Sequence, residues 1–503
     1  MVLFCQRYAW SVLFSAFLAV HCKGYENDNA PERGPGNEDA GLSRDTRTAD
    51  DALITGDARS ADAANDAPSV PPDATPPDAA RDGFSIADLT TDVPTIDARG
   101  DGPPTSPDAP SSVDASRDAS STSPDAPSIA DALADTGPGR DAGGGGTTDA
   151  GPPTGKPGFL HTDGARIVDS KGNVVRLTGL SWFGLETSAY VPHGLWSRSM
   201  DELLDKVASL GYNSLRLPFC SQLFDAGSTP NGFDESKNPA LKGLTGLQIM
   251  DKVVEGAQKR GLRILLDRHR PDSAGQSALW YTSSYSEDRW INDWTMLAQR
   301  YAGNPTVIGA DLHNEPHGNA TWGDGNMTTD WRLAAERAGN AILAVNPDWL
   351  IVVEGIEVTG GNYYWWGGNL RNAGTAPVRL NVPQRLVYST HDYPSSLHAQ
   401  SWFSDPSYPA NLPGVWDANW GYLVKQNIAP VLLGEFGTKY QTDSDKQWLS
   451  SFGSYITSNG LSFAFWCLNP NSGDTGGILQ NDWLTVDANK HGALMPLLAP
   501  KIP

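Results

Sequence analysis

The sequence predicts an α/β fold, a (β/α)8 or TIM barrel, in residues 157–503. Two observations indicate it: eight short apolar runs follow one another along this segment, and helical patterns lie between them. Near-continuous, β-rich apolar runs are typical of strands buried on both faces, as in a parallel sheet. A doubly wound open sheet is the alternative, but no glycine-rich phosphate turn follows the first run.

Each of the eight runs is short enough to form one buried strand and is rich in β-branched or aromatic residues. In chain order they are VVRLTGLSWFG (174–184), YNSLRLPF (212–219), LRILLDRHR (262–270), TVIGADLHNEP (306–316), DWLIVVEG (348–355), RLVYSTHDY (385–393), APVLLGEFG (429–437) and SFAFWCLNP (462–470).

The helical period appears in four segments between the runs, at 199–210, 286–301, 330–345 and 444–456. Ser199 with Glu202, and Ser444 with Gln447, have the spacing of a capping box, which predicts where the first and last of these helices begin. Gly211 predicts the end of the first helix.

The chain before the barrel has a different composition. Residues 1–22 contain a short apolar stretch that is typical of a secretory signal and too short to span a bilayer. FLAVHC loosely resembles a lipoprotein signal ending at Cys22, so a lipid anchor there is an alternative to cleavage nearby and release, which we favour. Residues 23–156 are rich in Asp, Ala and Pro and predict a disordered, extended linker.

The linker carries 26 acidic and 10 basic residues, which accounts for 16 of the 22 net negative charges of the chain. This acidity argues against nucleic acid and anionic membranes as partners, and we expect no membrane contact by the barrel domain. No His/Cys cluster has zinc spacing, so the sequence predicts no metal site and no cofactor. We expect Cys220 and Cys467, the two cysteines of the barrel segment, to be free thiols.

Polar and aromatic side chains occur where most of the predicted strands end. In a barrel these ends face one crater that holds the functional residues. The strand ends carry Arg216, His269, Asn314, Glu315, His391, Tyr393, Glu435 and Trp466. We expect Asp267 and Asp311, which precede two of these ends, to pair or cap rather than react.

Two carboxylates in a crater rimmed with Trp indicate cleavage of a glycosidic bond. One carboxyl group must be protonated to assist the leaving oxygen, and the other must be ionised to attack or to activate water. Trp rings suit sugars because the C–H faces of a pyranose are apolar. The residues alone leave open which of Glu315 and Glu435 has which part.

The ordered set of motifs RLPF, LDRHRPD, DLHNEP, STHDY, LLGEFG and FWCLNPNSGDTGG resembles glycoside hydrolase family 5, the cellulase family of retaining β-glycanases. SWFG, HGLWSR, AGQSALWYTSS and GGILQNDWLTVD extend the resemblance over essentially all of 157–503. The segment is most similar to secreted bacterial endo-β-1,4-glucanases of that family.

The resemblance implies a catalytic part for five residues. Glu315 matches the acid/base, and Asn314 matches the residue that bonds the sugar 2-hydroxyl. Glu435 matches the nucleophile, while Arg216 and Tyr393 match the residues that orient it.

The resemblance also implies how the sugar is held. His269 and His391 match residues that line the cleaved-sugar subsite and its proton network. Trp466 matches the aromatic floor of that subsite, and Trp196 and Trp366 match outer stacking platforms.

The implied function is that of a retaining endo-β-1,4-glucanase acting on cellulose and related β-glucans, outside the cell or tethered to its surface. The alternatives are a β-mannanase, xylanase or mixed-linkage glucanase on the same barrel, because a few hydroxyl contacts decide the substrate. A non-catalytic carbohydrate-binding surface protein is a further alternative.

Overall fold

The structure is a computed structural model that describes residues 156–503. The predicted signal segment and all but the last residue of the predicted linker lie outside the described residues. The strands are β1 (His161–Asp163), β2 (Arg166–Val168), β3 (Val174–Val175), β4 (Thr178–Ser181), β5 (Ser214–Cys220), β6 (Arg263–Arg270), β7 (Val307–Asp311), β8 (Leu350–Glu354), β9 (Val358–Thr359), β10 (Asn362–Tyr363), β11 (Leu386–Asp392), β12 (Val431–Phe436) and β13 (Ser462–Phe465).

The α-helices are α1 (Met200–Ser209), α2 (Gly246–Arg260), α3 (Glu287–Arg300), α4 (Trp331–Val345), α5 (Leu412–Trp416), α6 (Tyr422–Lys425), α7 (Asp443–Asn459) and α8 (Ala488–Leu494). A π-helical segment, Asp417–Gly421, joins α5 to α6.

Eight strands close into a barrel in the order β11-β12-β13-β4-β5-β6-β7-β8. Each neighbouring pair is parallel, and each of the eight predicted apolar runs coincides with one of these strands. Only β5 extends beyond its run, by one residue, to Cys220. The (β/α)8 prediction is therefore confirmed, and the open-sheet alternative is wrong because the sheet has no free edge.

The first apolar run is divided between two elements instead of forming one strand. Val174 and Val175 form β3, which pairs antiparallel with β2 in a three-stranded sheet ahead of the barrel. The barrel strand begins three residues after the end of β3, at Thr178. A continuous apolar run cannot show this division, because both strands are apolar.

Two apolar clusters form the core. The larger lies mainly between the strands and the surrounding helices and includes buried Trp290, Trp294 and Trp448. The smaller lies inside the barrel and joins side chains near the beginnings of its strands to the N-terminal sheet. It consists of Leu160, Ile167, Val175, Leu177, Leu265, Ile308, Leu350, Val352, Val387, Leu432 and Ile502.

The helix caps confirm one prediction and correct another. Ser199 and Glu202 form a complete capping box at the start of α1, as predicted. The predicted box of Ser444 and Gln447 is wrong, because α7 begins at Asp443 and Thr442 caps it.

Helix α2 was not among the four predicted helices. A capping box of Thr245 and Gln248 opens it, and Gly261 ends it with φ 69°, in the left-handed conformation that glycine adopts without steric cost.

Cys220 and Cys467 are both buried and free, as predicted. Within residues 156–503, no helix is both long and apolar enough to cross a bilayer.

Candidate active site

The predicted site residues meet at the carboxyl ends of the barrel strands, in what we call the crater. Arg216 lies on β5, His269 on β6, His391 on β11 and Glu435 on β12. Glu315 follows β7 after a short turn. These residues come from five strands, and barrel closure is what brings their side chains together.

The two glutamates lie close to each other. An oxygen of Glu315, an oxygen of Glu435 and a ring nitrogen of His391 all lie within 4.8 Å of one another. Both carboxyl groups are largely shielded from solvent, with side chains 15% and 5% exposed for Glu315 and Glu435, respectively. The crater therefore holds two adjacent carboxyl groups in a region of low dielectric constant.

Arg216 is fully buried and bonds to several acidic side chains at once. Nη1 lies 2.5 Å from Glu435 Oε1 and 3.1 Å from Asp267 Oδ2, and Nε donates to Asp311 Oδ2 at 2.8 Å. Nη2 donates to Glu354 Oε1 at 3.0 Å. Burial alone would lower the pKa of Arg216, but these carboxylates raise it well above its ordinary value. Asp267 and Asp311 form ion pairs, as the sequence predicted, and the structure identifies Arg216 as their partner.

Glu435 accepts a hydrogen bond on each of its oxygens. Arg216 Nη1 donates to Oε1 at 2.5 Å, and Tyr393 Oη donates to Oε2 at 2.7 Å. Burial raises the pKa of Glu435, whereas the charges of His391 and Arg216 oppose that shift. The two donors fix the carboxylate plane on the floor of the crater.

Glu315 is held by a different set of partners. Gln276 Nε2 donates to Oε2 at 3.0 Å, and His391 Nδ1 lies 3.0 Å from Oε1. The same Gln276 accepts a hydrogen bond from Asn314 Nδ2 at 3.1 Å, and Arg216 Nη2 donates to Asn314 Oδ1 at 2.9 Å. The amide of Asn314 is thereby fixed beside the two glutamates.

The contact between Glu315 and His391 shifts the pKa of both groups. Burial lowers the pKa of His391, but the carboxylates of Glu354, Glu435 and Glu315 raise it well above its ordinary value. Burial raises the pKa of Glu315, but the hydrogen bond and charge of His391 outweigh burial and lower it. The pair therefore titrates as a unit.

His269 is the second histidine of the crater and carries no charge at neutral pH. Burial lowers its pKa to about 4. Its Nδ1 lies 2.7 Å from Asp267 Oδ2, and its ring stacks on Trp466 with centroids 5.3 Å apart and planes 7° apart. Trp466 in turn stacks on Phe183 at 5.5 Å.

The two predicted outer platforms are partly exposed. Trp196 is 42% exposed and makes edge contacts with His193 and Trp483, both with centroids 5.3 Å away. Trp366 stacks on His317 with a centroid distance of 3.7 Å. Each ring is supported by neighbours and still presents some surface to solvent, as a stacking platform requires.

Two residues of this network, Glu354 and Gln276, were not predicted from the sequence. Glu354 ends β8 in LIVVEG, an apolar run that leads into a glutamate just as LLGEFG leads into Glu435. This pattern could have indicated from the sequence that Glu354 lies at the site. Gln276 lies in a loop, where no local pattern marks an amide that bonds Glu315.

Three groups of acidic and His side chains in the crater have the spacing of metal ligands. The groups are Asp267–His269–Glu435, Glu315–His391–Glu435 and Asp267–Asp311–Glu354. The guanidinium of Arg216 contacts a member of each group and supplies positive charge among them.

Comparison with known proteins gives consistent results. The family model described as cellulase, glycosyl hydrolase family 5, matches residues 168–472. An endoglucanase of Paenibacillus polymyxa is 57% identical over 350 residues, which cover 69% of this chain and 88% of that relative. The major extracellular endoglucanase of Xanthomonas campestris pv. campestris is 45% identical over 352 residues, covering 68% of this chain and 72% of the relative.

A solved structure gives the same result. The cellotetraose complex of an endocellulase from Pyrococcus horikoshii is 40% identical, with a TM-score of 0.65, and the match covers 69% of this chain and 100% of that one. The barrel, the paired carboxyl groups and these relatives together show that the chain belongs to glycosyl hydrolase family 5, the cellulase family, and is a glycoside hydrolase.

Proposed function

We propose that this protein is a retaining endo-β-1,4-glucanase that hydrolyses cellulose and related β-glucans by double displacement. The observation that carries the proposal is the separation of the oxygens of Glu315 and Glu435, which lie within 4.8 Å. Retaining glycosidases place their carboxyl groups about 5–5.5 Å apart, whereas inverting enzymes need about 6.5–9.5 Å to admit water. The endoglucanase relatives and the cellotetraose complex support a β-1,4-glucan substrate.

In the first step Glu435 attacks the anomeric carbon. A bond forms between that carbon and a Glu435 oxygen, the glycosidic C–O bond breaks, and the leaving oxygen takes a proton from Glu315. Arg216 and Tyr393 hold Glu435 for this attack through the hydrogen bonds described above. Asn314 bonds the sugar 2-hydroxyl, and the Trp466 ring supports the sugar.

His391 couples the attack to the proton transfer. Its Nδ1 lies 3.7 Å from Glu435 Oε2 and 3.0 Å from Glu315 Oε1. When Glu435 becomes an ester it loses its negative charge, which lowers the pKa of His391. The proton of the Glu315–His391 pair then moves toward Glu315 at the moment when the leaving oxygen needs it.

In the second step a water molecule attacks the anomeric carbon of the glycosyl-enzyme. Glu315 takes the proton of this water, the ester bond to Glu435 breaks, and the β-configured product leaves. The alternation of Glu315 between acid and base requires a pKa that changes with the charge on Glu435, and their short separation supplies that coupling.

Hydrolysis of cello-oligosaccharides, followed by NMR of the anomeric protons, tests the reaction. We expect the β-anomer to appear first, with mutarotation to the α-anomer later. Initial formation of the α-anomer would contradict double displacement. Faster release of reducing ends from mannan or xylan than from carboxymethylcellulose would contradict the proposed substrate.

Glu435→Gln tests the nucleophile. We expect the variant to fold normally and to lose activity by roughly three or more orders of magnitude, because an amide cannot form the glycosyl ester. The matched control is Glu357→Gln, which changes a glutamate that bonds the loop amide of Gly318 instead. Near wild-type turnover of E435Q would exclude Glu435 as the nucleophile and would reopen the assignment of both carboxyl groups.

We further propose that the enzyme acts outside the cell. The apolar segment within residues 1–22 and the extracellular relative from Xanthomonas support this location. Lipid attachment at Cys22 and release after cleavage remain the two alternatives for the mature form. Mass spectrometry of the mature N-terminus distinguishes them, and recovery of an uncleaved cytoplasmic chain would contradict both.

A further inference from the structure

Glu354 is a buried carboxylate in the crater that the mechanism above does not use. It is the last residue of β8, and its side chain has no solvent exposure. Its backbone carbonyl accepts a hydrogen bond from Trp331 Nε1 at 2.8 Å, which fixes its backbone against α4. Because it is shielded from solvent, Glu354 does not present its carboxylate to the sugar-binding surface.

The carboxylate of Glu354 nevertheless contacts three groups of the catalytic network. Oε2 accepts the backbone N–H of Glu315 at 2.7 Å. Oε1 accepts from Arg216 Nη2 at 3.0 Å and lies 3.3 Å from His391 Nε2. The contact with His391 is an ion pair and lacks the geometry of a well-directed hydrogen bond. Among the described residues, His391 Nε2 has no hydrogen-bond partner.

We propose that Glu354 is a positioning residue for the acid/base step: it holds the backbone of Glu315 in place and keeps His391 charged and oriented toward Glu315. This inference rests on the proposed function, because it assigns to Glu354 the support of the proton donor. The contacts run from Glu354 through His391 to Glu315. One carboxylate therefore lies on each side of the His391 imidazole.

The hydrogen bond from the Glu315 N–H to Glu354 supports an unfavourable backbone conformation of Glu315. Glu315 has φ 51°, in the left-handed region that residues other than glycine adopt at an energetic cost. The hydrogen bond from its N–H to Glu354 helps to stabilise that conformation, and the conformation sets the direction of the Glu315 side chain. Glu354 thus acts on the acid/base residue through its main chain as well as through His391.

Gly367 shows how closely the chain packs around this contact. A Cβ atom at Gly367 would lie 2.3 Å from Glu354 Oε2 and 3.1 Å from the Cα of Glu315. The residue also has φ 66°, so a side chain there would be strained as well as obstructed. The segment after β10 therefore covers the Glu354–Glu315 contact and keeps it from solvent.

The charge effect on His391 depends on all of its neighbours. The groups around it are Glu315, Glu354, Glu435, Asp267, Asp311 and Arg216. The carboxylate of Glu354 favours the imidazolium form, since removal of a nearby negative charge makes a cation easier to deprotonate. Without the negative charge of Glu354, the Glu315–His391 pair should therefore lose its proton at a lower pH.

Glu354→Gln in the full chain tests the proposal, with Glu357→Gln as the matched control. Glu357 is three residues away and also accepts a loop amide, but contacts none of the groups above in the described structure. The substrates are phenyl β-cellobioside, whose leaving group needs a proton, and 2,4-dinitrophenyl β-cellobioside, whose leaving group does not.

For E354Q we expect kcat/KM on the phenyl substrate to fall by roughly 10- to 100-fold, a part of the full effect of general acid catalysis. We expect a change of less than about 3-fold on the dinitrophenyl substrate, because departure of that group needs no proton. The alkaline limb of the pH profile on the phenyl substrate should move to lower pH. E357Q should match the wild type in all three measurements.

An equal loss of kcat/KM on both substrates, without a shift of the alkaline limb, would overturn the proposal. Glu354 would then have a structural role only. Wild-type behaviour of E354Q would overturn it as well. A wild-type enzyme that cleaves neither cellobioside nor cello-oligosaccharides would instead overturn the proposed function, so the two failures are distinguishable.

A second measurement needs no variant and holds if E354Q does not fold. Neutron diffraction from wild-type crystals at neutral pH locates the protons on His391. We expect a proton on both ring nitrogens, with Nε2–H facing Glu354. An Nε2 without a proton would overturn the proposal.

Discussion

At the scale of single residues, Arg216 organises the site. The sequence places it at a strand end, and the resemblance assigns it to the nucleophile, yet in the structure it bonds to Asp267, Asp311 and Glu354 as well as to Glu435. Its planar group of five N–H donors can satisfy several acceptors at once, which a lysine cannot do. A buried cation with this many partners both stabilises the barrel interior and fixes Glu435.

Arg216→Lys separates charge from geometry. We expect the variant to lose at least about 100-fold in kcat, because a lysine keeps the positive charge but cannot bond Glu435, Asp311 and Glu354 in their present positions. Its free energy of unfolding should fall by roughly 3 kcal/mol, as in other broken buried pairs. Steady-state kinetics and urea unfolding measure both. Exposed Arg300→Lys is the control, and near wild-type kcat for R216K would contradict the argument.

At the scale of elements, the start of α7 shows why a local pattern can mislead. Ser444 with Gln447 has the capping spacing, but so does Thr442 with Asp445, and the sequence contains both. In the structure Thr442 accepts the N–H of Asp445, and the Ser444 hydroxyl bonds Ser395 instead. The partner of the Ser444 hydroxyl lies 49 positions away, beyond the range of any local pattern.

Thr442→Ala tests this assignment. We expect it to lower the free energy of unfolding by about 1 kcal/mol, the usual effect of removing an N-cap side chain. Thr442→Ser should restore most of the stability, because it keeps the oxygen that accepts the Asp445 N–H. Urea unfolding measures the difference. Equal stability of the wild type, T442A and T442S would contradict the assignment of Thr442 as the cap.

At the scale of the whole molecule, the two ends of the barrel have different tasks. The carboxyl ends of the strands carry the crater, while the smaller apolar cluster lies near their beginnings against β1–β3. Ile167 and Val175 of the N-terminal sheet contribute to that cluster and are buried. We therefore propose that the folding unit begins near residue 157, ahead of this sheet, and not at the first barrel strand.

Two truncations test this boundary. A chain of residues 156–503 should keep the Tm and the kcat on cello-oligosaccharides of the full chain, because the cluster and the crater are complete in it. A chain that starts at Arg176 should have a Tm lower by at least about 5 °C, since it exposes apolar side chains worth roughly 2 kcal/mol each. Differential scanning calorimetry compares them, and equal Tm values for the two truncations would contradict the proposed boundary.

The sequence by itself determined the eight strands, their parallel barrel and the strand ends that carry Glu315 and Glu435. These features follow from short-range periodicity and from the rule that parallel strands end at one face. Only the tertiary structure decided which carboxylates share Arg216, that Glu354 supports Glu315 and His391, and that β3 belongs to a separate sheet. Those outcomes depend on competition for a few buried donors among residues up to 219 positions apart, and no local pattern encodes the result.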